Sequence, residues 1–109
     1  MKNIFEAPFV VGMCKATANM YRMGWDERNG GNISVMLEND EVAEYLDINS
    51  PIRSFDMGFD ASVLVGKIFI VTGTGKYFKN VEDDPETNLG IIRIAENGTT
   101  AEVLWGYKD

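Results

Sequence analysis

Two strand-like runs, residues 90–95 and 99–105, are separated by Glu96-Asn97-Gly98. Asn-Gly supplies residues that tolerate the positive φ of a tight turn, so this stretch is expected to fold back on itself as an antiparallel hairpin. Upstream, Lys67-Ile68-Phe69-Ile70-Val71-Thr72 is β-branched and aromatic, bounded by Gly66 and Gly73. It is too short for a helix and predicts a buried strand. A hairpin with a strand feeding it already requires a sheet, and a sheet needs something apolar to lie against one of its faces.

The N-terminal segment reads as a helix. Over residues 7–23, Phe9, Met13, Ala16, Met20 and Met23 recur at spacings of four and three, which puts them on one helical face, while Lys15, Asn19 and Arg22 take the other side. Pro8 suits the first turn, where its missing N–H has no helical partner, and Gly24 is a plausible terminator. A turn-rich octet, Trp25 to Asn32, then leads into the alternating run Ile33-Ser34-Val35-Met36-Leu37, which reads as a strand. Residues 40–46 form a candidate short acidic helix; Asn49-Ser50-Pro51 should interrupt the chain before an extended piece at 53–57. Nothing marks an internal boundary, so residues 1–109 are read as one domain portion of the α/β class, α+β-like in its order: an N-terminal helix, then a mostly antiparallel sheet ending in a hairpin.

Composition narrows the function classes. Seventeen acidic against ten basic residues leave a formal charge of -7, a field that repels nucleic-acid phosphates and anionic lipid heads. No apolar run approaches the roughly 18 residues that a spanning helix requires. One cysteine, Cys14, has no second cysteine to bridge to, and the acidic Glu6 interrupts the apolar stretch that a signal peptide would need, so a cytoplasmic protein is expected, with no nucleic-acid or membrane partner. Two formal sequons, Asn32-Ile33-Ser34 and Asn97-Gly98-Thr99, carry no weight without export. The chain contains no histidine. It therefore lacks the commonest transition-metal ligand and the commonest general base at neutral pH, and Cys14 has no imidazole to activate it.

The candidate chemistry lies in two glycine-rich loops. Gly73-Thr74-Gly75-Lys76 follows the predicted strand at 67–72; small residues there leave backbone N–H groups able to face an anion, and the Thr74 hydroxyl adds a donor. It is not a nucleotide-binding P-loop, since Ile70 stands where that motif needs glycine and Tyr77 follows the lysine. The other loop, Asn29-Gly30-Gly31-Asn32, offers two carboxamides around a flexible turn. Taken alone, each is more often a connector whose Gly and Asn residues satisfy backbone geometry. Together they are more suggestive, because a sheet can bring both to one edge, though the sequence leaves open whether they meet. The carboxylates at Asp26, Glu27, Asp83, Asp84 and Glu86 read as a solvated face, the methionines of the first helix as core or subunit contact, and Trp25 and Trp105 as packing residues.

The string Gly24-Trp25-Asp26-Glu27-Arg28-Asn29-Gly30-Gly31-Asn32 closely resembles the segment after the first long helix in the branch of the class II aldolase/adducin family that acts on rhamnulose 1-phosphate. Phe69 through Phe78 resembles a second phosphate loop of those enzymes. Asn88-Leu89-Gly90-Ile91 and Leu104-Trp105-Gly106 resemble later landmarks in the same order, so the similarity covers almost the whole chain. The resemblance implies a three-layer α/β/α fold, assembly as a homo-tetramer, and reversible zinc-dependent cleavage of L-rhamnulose 1-phosphate to dihydroxyacetone phosphate and L-lactaldehyde, with zinc as Lewis acid. Carried over by position, substrate-phosphate contacts fall on Asn29, Gly31, Asn32, Thr74 and Gly75. Close relatives often have serine where this chain has Thr74, and both supply a hydroxyl. The family's Thr-Ser-Glu motif, His-x-His pair and third zinc-binding histidine lie beyond the point matching Trp105-Gly106, so these 109 residues contain no catalytic or metal-binding member. They are expected to bind no zinc and to be inactive alone. The alternative implied by the wider family is a non-catalytic, adducin-like interaction module.

Overall fold

The computed structural model describes residues 2–22, 34–72 and 85–107. Among the described residues, α-helices α1 (Pro8–Arg22), α2 (Asn39–Ala43) and α3 (Pro85–Asn88) accompany strands β1 (Ser34–Leu37), β2 (Arg53–Asp56), β3 (Ile68–Thr72), β4 (Leu89–Ile94) and β5 (Thr100–Gly106). All strand pairs are antiparallel and the spatial order is β1-β3-β4-β5-β2. The fold is thus an α/β arrangement with an N-terminal helix and a C-terminal β4–β5 hairpin, as the sequence led us to expect. None of the described helices is long and apolar enough to cross a membrane.

The hairpin forms because its turn satisfies its own backbone. Gly98 takes φ 74°, a left-handed conformation that glycine adopts without steric cost. The Asn97 carboxamide oxygen accepts from the N–H groups of Thr99 and Thr100 at 2.9 and 3.0 Å. Between Ile91 and Ile92 the register slips by one residue: Ile91 faces Trp105 while Ile92 faces Val103. Leu104 is the extra residue of this β-bulge, which lets Leu104 and Trp105 both join the same core cluster despite being adjacent in sequence.

That cluster lies on the face of the sheet covered by α1, where Ile68, Ile70, Leu89 and Ile91 pack with Val10 and Met13 of α1 and Val42 of α2. On the opposite face Ile92, Ala101 and Val103 pack with Phe69, Met57 and Tyr107, and neither α1 nor α2 contributes to that cluster. One helical layer on one sheet face is therefore the arrangement within the cores of the described residues, against three layers expected for the whole fold.

The buried face of α1 agrees with the expected one at Met13, with Phe9 packed against the core, and departs from it at Ala16 and Thr17; Met20 and Met23 lie outside the side chains described. Val10, Met13 and Thr17 are buried, whereas Phe9 is half-buried and Ala16 exposed. Thr17 is admitted because its hydroxyl donates to the carbonyl oxygens of Met13 and Cys14, at 3.0 and 3.1 Å, so no polar atom is left bare. Phe9 and Ala16 instead line an apolar cleft of about 210 Å³ together with Gly12, Met13, Val35 and Ile70. Phe9 also meets Tyr45 edge to face at 5.5 Å, and Phe5 meets Trp105 the same way at 5.7 Å. Trp105 is a packing residue, as expected, with 6% of its surface exposed. The acidic helix expected over 40–46 runs only Asn39–Ala43, and Asp47 then builds the turn before Pro51 by accepting from Asn49 N–H and Ser50 Oγ.

Candidate functional site

Asn29, Gly31, Asn32, Thr74 and Gly75 lie outside the described residues, as does Trp25. The strand ends that carry both loops are described, and they are neighbours. β1, which begins just after the Asn29–Asn32 loop, runs antiparallel to β3, which ends just before Gly73, with Ser34 opposite Val71. Directly opposed residues in such a pair stand about 4.5–5.5 Å apart between Cα atoms. Asn32 is two residues before Ser34 and Thr74 two residues after Thr72. The antiparallel ladder thus brings the two loop attachments together on one end of the sheet, the point that the sequence leaves open.

The same end holds the start of β4 and the finish of β5. Thr72 is paired with Leu89, Val71 with Gly90, and Gly90 with Gly106. α3 delivers the chain to this place: Pro85 opens it, Asn88 is buried at its end, and Leu89 starts β4 without an intervening loop. Two glycines let the strand ends close up. A Cβ on Gly106, at φ 90°, would stand 2.1 Å from the Leu89 carbonyl oxygen, and one on Gly90 would stand 2.4 Å from the Tyr107 ring. Tyr107 occupies the room that Gly90 leaves. Its N–H donates to the Leu89 carbonyl at 2.8 Å, its hydroxyl to the Thr72 carbonyl at 3.4 Å, and its own carbonyl accepts from the Arg53 guanidinium. Burial pushes the phenol's pKa up to about 12, since the phenolate would lose its hydration there. Sequence reasoning missed Tyr107 as part of this end; the available signal was a glycine interrupting each of two apolar strands, at positions 90 and 106.

Chemically, the described residues at this end of the sheet offer hydrogen-bonding groups and small residues. Among the described residues no three His, Cys, Asp or Glu side chains are grouped to hold a metal ion. With no histidine in the chain, the residues present do not fit a catalytic zinc.

No family model matches the chain. Curated proteins do. A rhamnulose-1-phosphate aldolase of Listeria monocytogenes is 56% identical over 108 residues, 99% of this chain and 40% of that protein. One of Enterococcus faecalis is 55% identical over 107 residues, 98% of this chain and 38% of that protein. One of Shigella boydii is 41% identical over 107 residues, 97% of this chain and 39% of that protein. Among solved structures, a sugar-phosphate aldolase from Thermotoga maritima superposes with a TM-score of 0.69 at 23% identity, over 89% of this chain and 38% of that one. This likeness shows that the fold is that of part of a sugar-phosphate aldolase. The chain spans about 40% of the length of the curated relatives it matches. Over 99% of its length it corresponds to the N-terminal portion of the rhamnulose-1-phosphate aldolases.

Proposed function

We propose that this chain is the phosphate-anchoring part of a zinc-dependent lyase that reversibly cleaves L-rhamnulose 1-phosphate to dihydroxyacetone phosphate and L-lactaldehyde. The observation that carries the reading is the pairing of Ser34 with Val71, which sets the roots of both glycine-rich loops side by side. The names borne by the relatives support the substrate. In this reading Asn29, Asn32 and Thr74 donate side-chain hydrogen bonds to the phosphate group, Gly75 contributes its backbone amide, and Gly31 shapes the first loop. Ligands for the metal and the groups that move protons come from outside these 109 residues. The full-length product works on the same reading in the cytoplasm as a homo-tetramer.

Hydrogen bonds to charged groups contribute about 1.5–3 kcal/mol each. Asn29→Ala in the full-length product of the gene is therefore expected to raise KM for L-rhamnulose 1-phosphate by about ten- to a hundredfold, with kcat altered less. Steady-state kinetics of the cleavage reaction checks this, and an unchanged KM would remove Asn29 from the phosphate site.

A further inference from the structure

The turn of the β4–β5 hairpin carries a reactive pair. An asparagine carboxamide followed by glycine can close on its neighbour, because the Gly98 nitrogen has no side chain beside it to obstruct an approach to Asn97 Cγ. In the folded hairpin the groups that this step needs are engaged. The Gly98 N–H donates to the Ala95 carbonyl at 2.9 Å. Asn97 Oδ1 accepts from the Thr99 and Thr100 N–H groups, and Nδ2 donates to Thr100 Oγ1 at 2.9 Å. The segment between β2 and β3 holds the turn from outside: the Gly98 carbonyl accepts from Ala61 N–H at 2.7 Å and the Thr99 carbonyl from Met57 N–H at 2.9 Å, while Ser62 fills the space where a Gly98 Cβ would stand. Asn97 is nevertheless exposed to water, the co-reactant that the chemistry requires.

We propose that Asn97 is a latent deamidation site, held unreactive by the closed hairpin and released when the turn opens. The Gly98 amide gives its proton to hydroxide and its nitrogen bonds to Asn97 Cγ; the Cγ–Nδ2 bond breaks, and Nδ2 takes a proton from water and leaves as ammonia. Water then adds to either carbonyl of the resulting succinimide. Opening at the bond from Cγ to nitrogen leaves an aspartate, whereas opening at the bond from the main-chain carbonyl carbon to nitrogen leaves an isoaspartyl link, with the backbone running through Cβ and Cγ. The net change is carboxamide plus water giving carboxylic acid plus ammonia. An aspartate keeps an oxygen for the Thr99 and Thr100 amides. The isoaspartyl link lengthens the turn by a methylene, so the chain between Ala95 and Thr100, which the Ala95 N–H closes on the Thr100 carbonyl at 2.9 Å, no longer fits its register. A reversible local opening is thereby made permanent.

Trypsin releases the peptide Ile94–Lys108, in which Asn97 is the one carboxamide residue, so a mass gain there reports this site alone. The experiment incubates the full-length product of the gene and its Thr100→Val variant, which loses the acceptor for Nδ2, at mildly alkaline pH in buffer and in urea, with thermal unfolding of each protein alongside. The expected result is deamidation about a hundredfold slower in buffer than in urea, the scale of the hydrogen bonds that opening the turn forfeits. In buffer Thr100→Val should react about three- to tenfold faster than the unmodified protein, the scale of one hydrogen bond, and at the same rate in urea. Equal rates in buffer and in urea for the unmodified protein overturn the protection, a comparison that needs no variant to fold. A Thr100→Val protein that melts like the unmodified one yet reacts no faster in buffer overturns the role of the carboxamide contacts. Absence of a mass gain in urea overturns the site itself.

Discussion

Single residues at the loop-bearing end of the sheet carry steric demands that substitution can measure. A Cβ on Gly106 would press on the Leu89 carbonyl, which is backbone and cannot swing away, in a φ that side chains avoid. A Cβ on Gly90 would meet the Tyr107 ring, which can. Gly106→Ala is therefore expected to cost about 2–4 kcal/mol and Gly90→Ala about 1–3 kcal/mol, with denaturant titration giving the order; equal costs would show that the backbone at β4 yields as easily as the ring. Tyr107 also sets an alkaline limit. Its phenol rises from the ordinary 10.0 to about 12 in the fold, so the folded state holds the proton more tightly than the unfolded chain does. The stability linked to this group is complete below pH 10 and is lost as pH rises from about 10 to about 12. Unfolding free energy measured from pH 9 to 12 should fall in that window and fall less in Tyr107→Phe; identical slopes would mean that the phenol is not desolvated.

Elements were more legible than the way they lie on one another. Residues 67–72 and the Asn97-Gly98 hairpin announce β3, β4 and β5 because β-branched runs bounded by glycine have few alternatives. α3 did not stand out, since four residues are too few for a helical period to show. The burial of Thr17 in α1 also escaped the periodicity, which followed methionines and a phenylalanine. Threonine looks polar in sequence, yet within a helix its hydroxyl can be satisfied by the preceding turn, and the residue then packs as a hydrophobe. The observed stripe makes a prediction: Met13→Ala should cost about 2–5 kcal/mol, whereas Ala16→Ser should change stability by no more than about 0.5 kcal/mol. Urea denaturation of both variants tests it, and comparable losses would return Ala16 to the core face.

At the scale of the molecule, β1 and β2 are the two ends of the strand order, and β1 exposes Val35 and Met36 at 47% and 57%. A strand edge of this kind is a template for pairing with another chain. In isolation the 109-residue chain is expected to self-associate as concentration rises, and Met36→Lys to shift it toward monomer; sedimentation across a range of concentrations decides, and one unassociated species in the unmodified chain would remove the edge as a contact. Absence of histidine, acidic charge and the two glycine-rich loops are properties of the residues themselves, and from them the sequence alone determined that no imidazole is available here and which two loops are candidates for holding an anion. Whether the strands that carry those loops pair was a different kind of question, because Asn32 and Thr74 are 42 positions apart and no local rule relates them. The antiparallel register of β1 on β3 decided it, as tertiary structure also decided that Tyr107 would lie across three strand ends: pairing partners are chosen by burial of whole sheet faces, and that burial exists only once the distant strands have met.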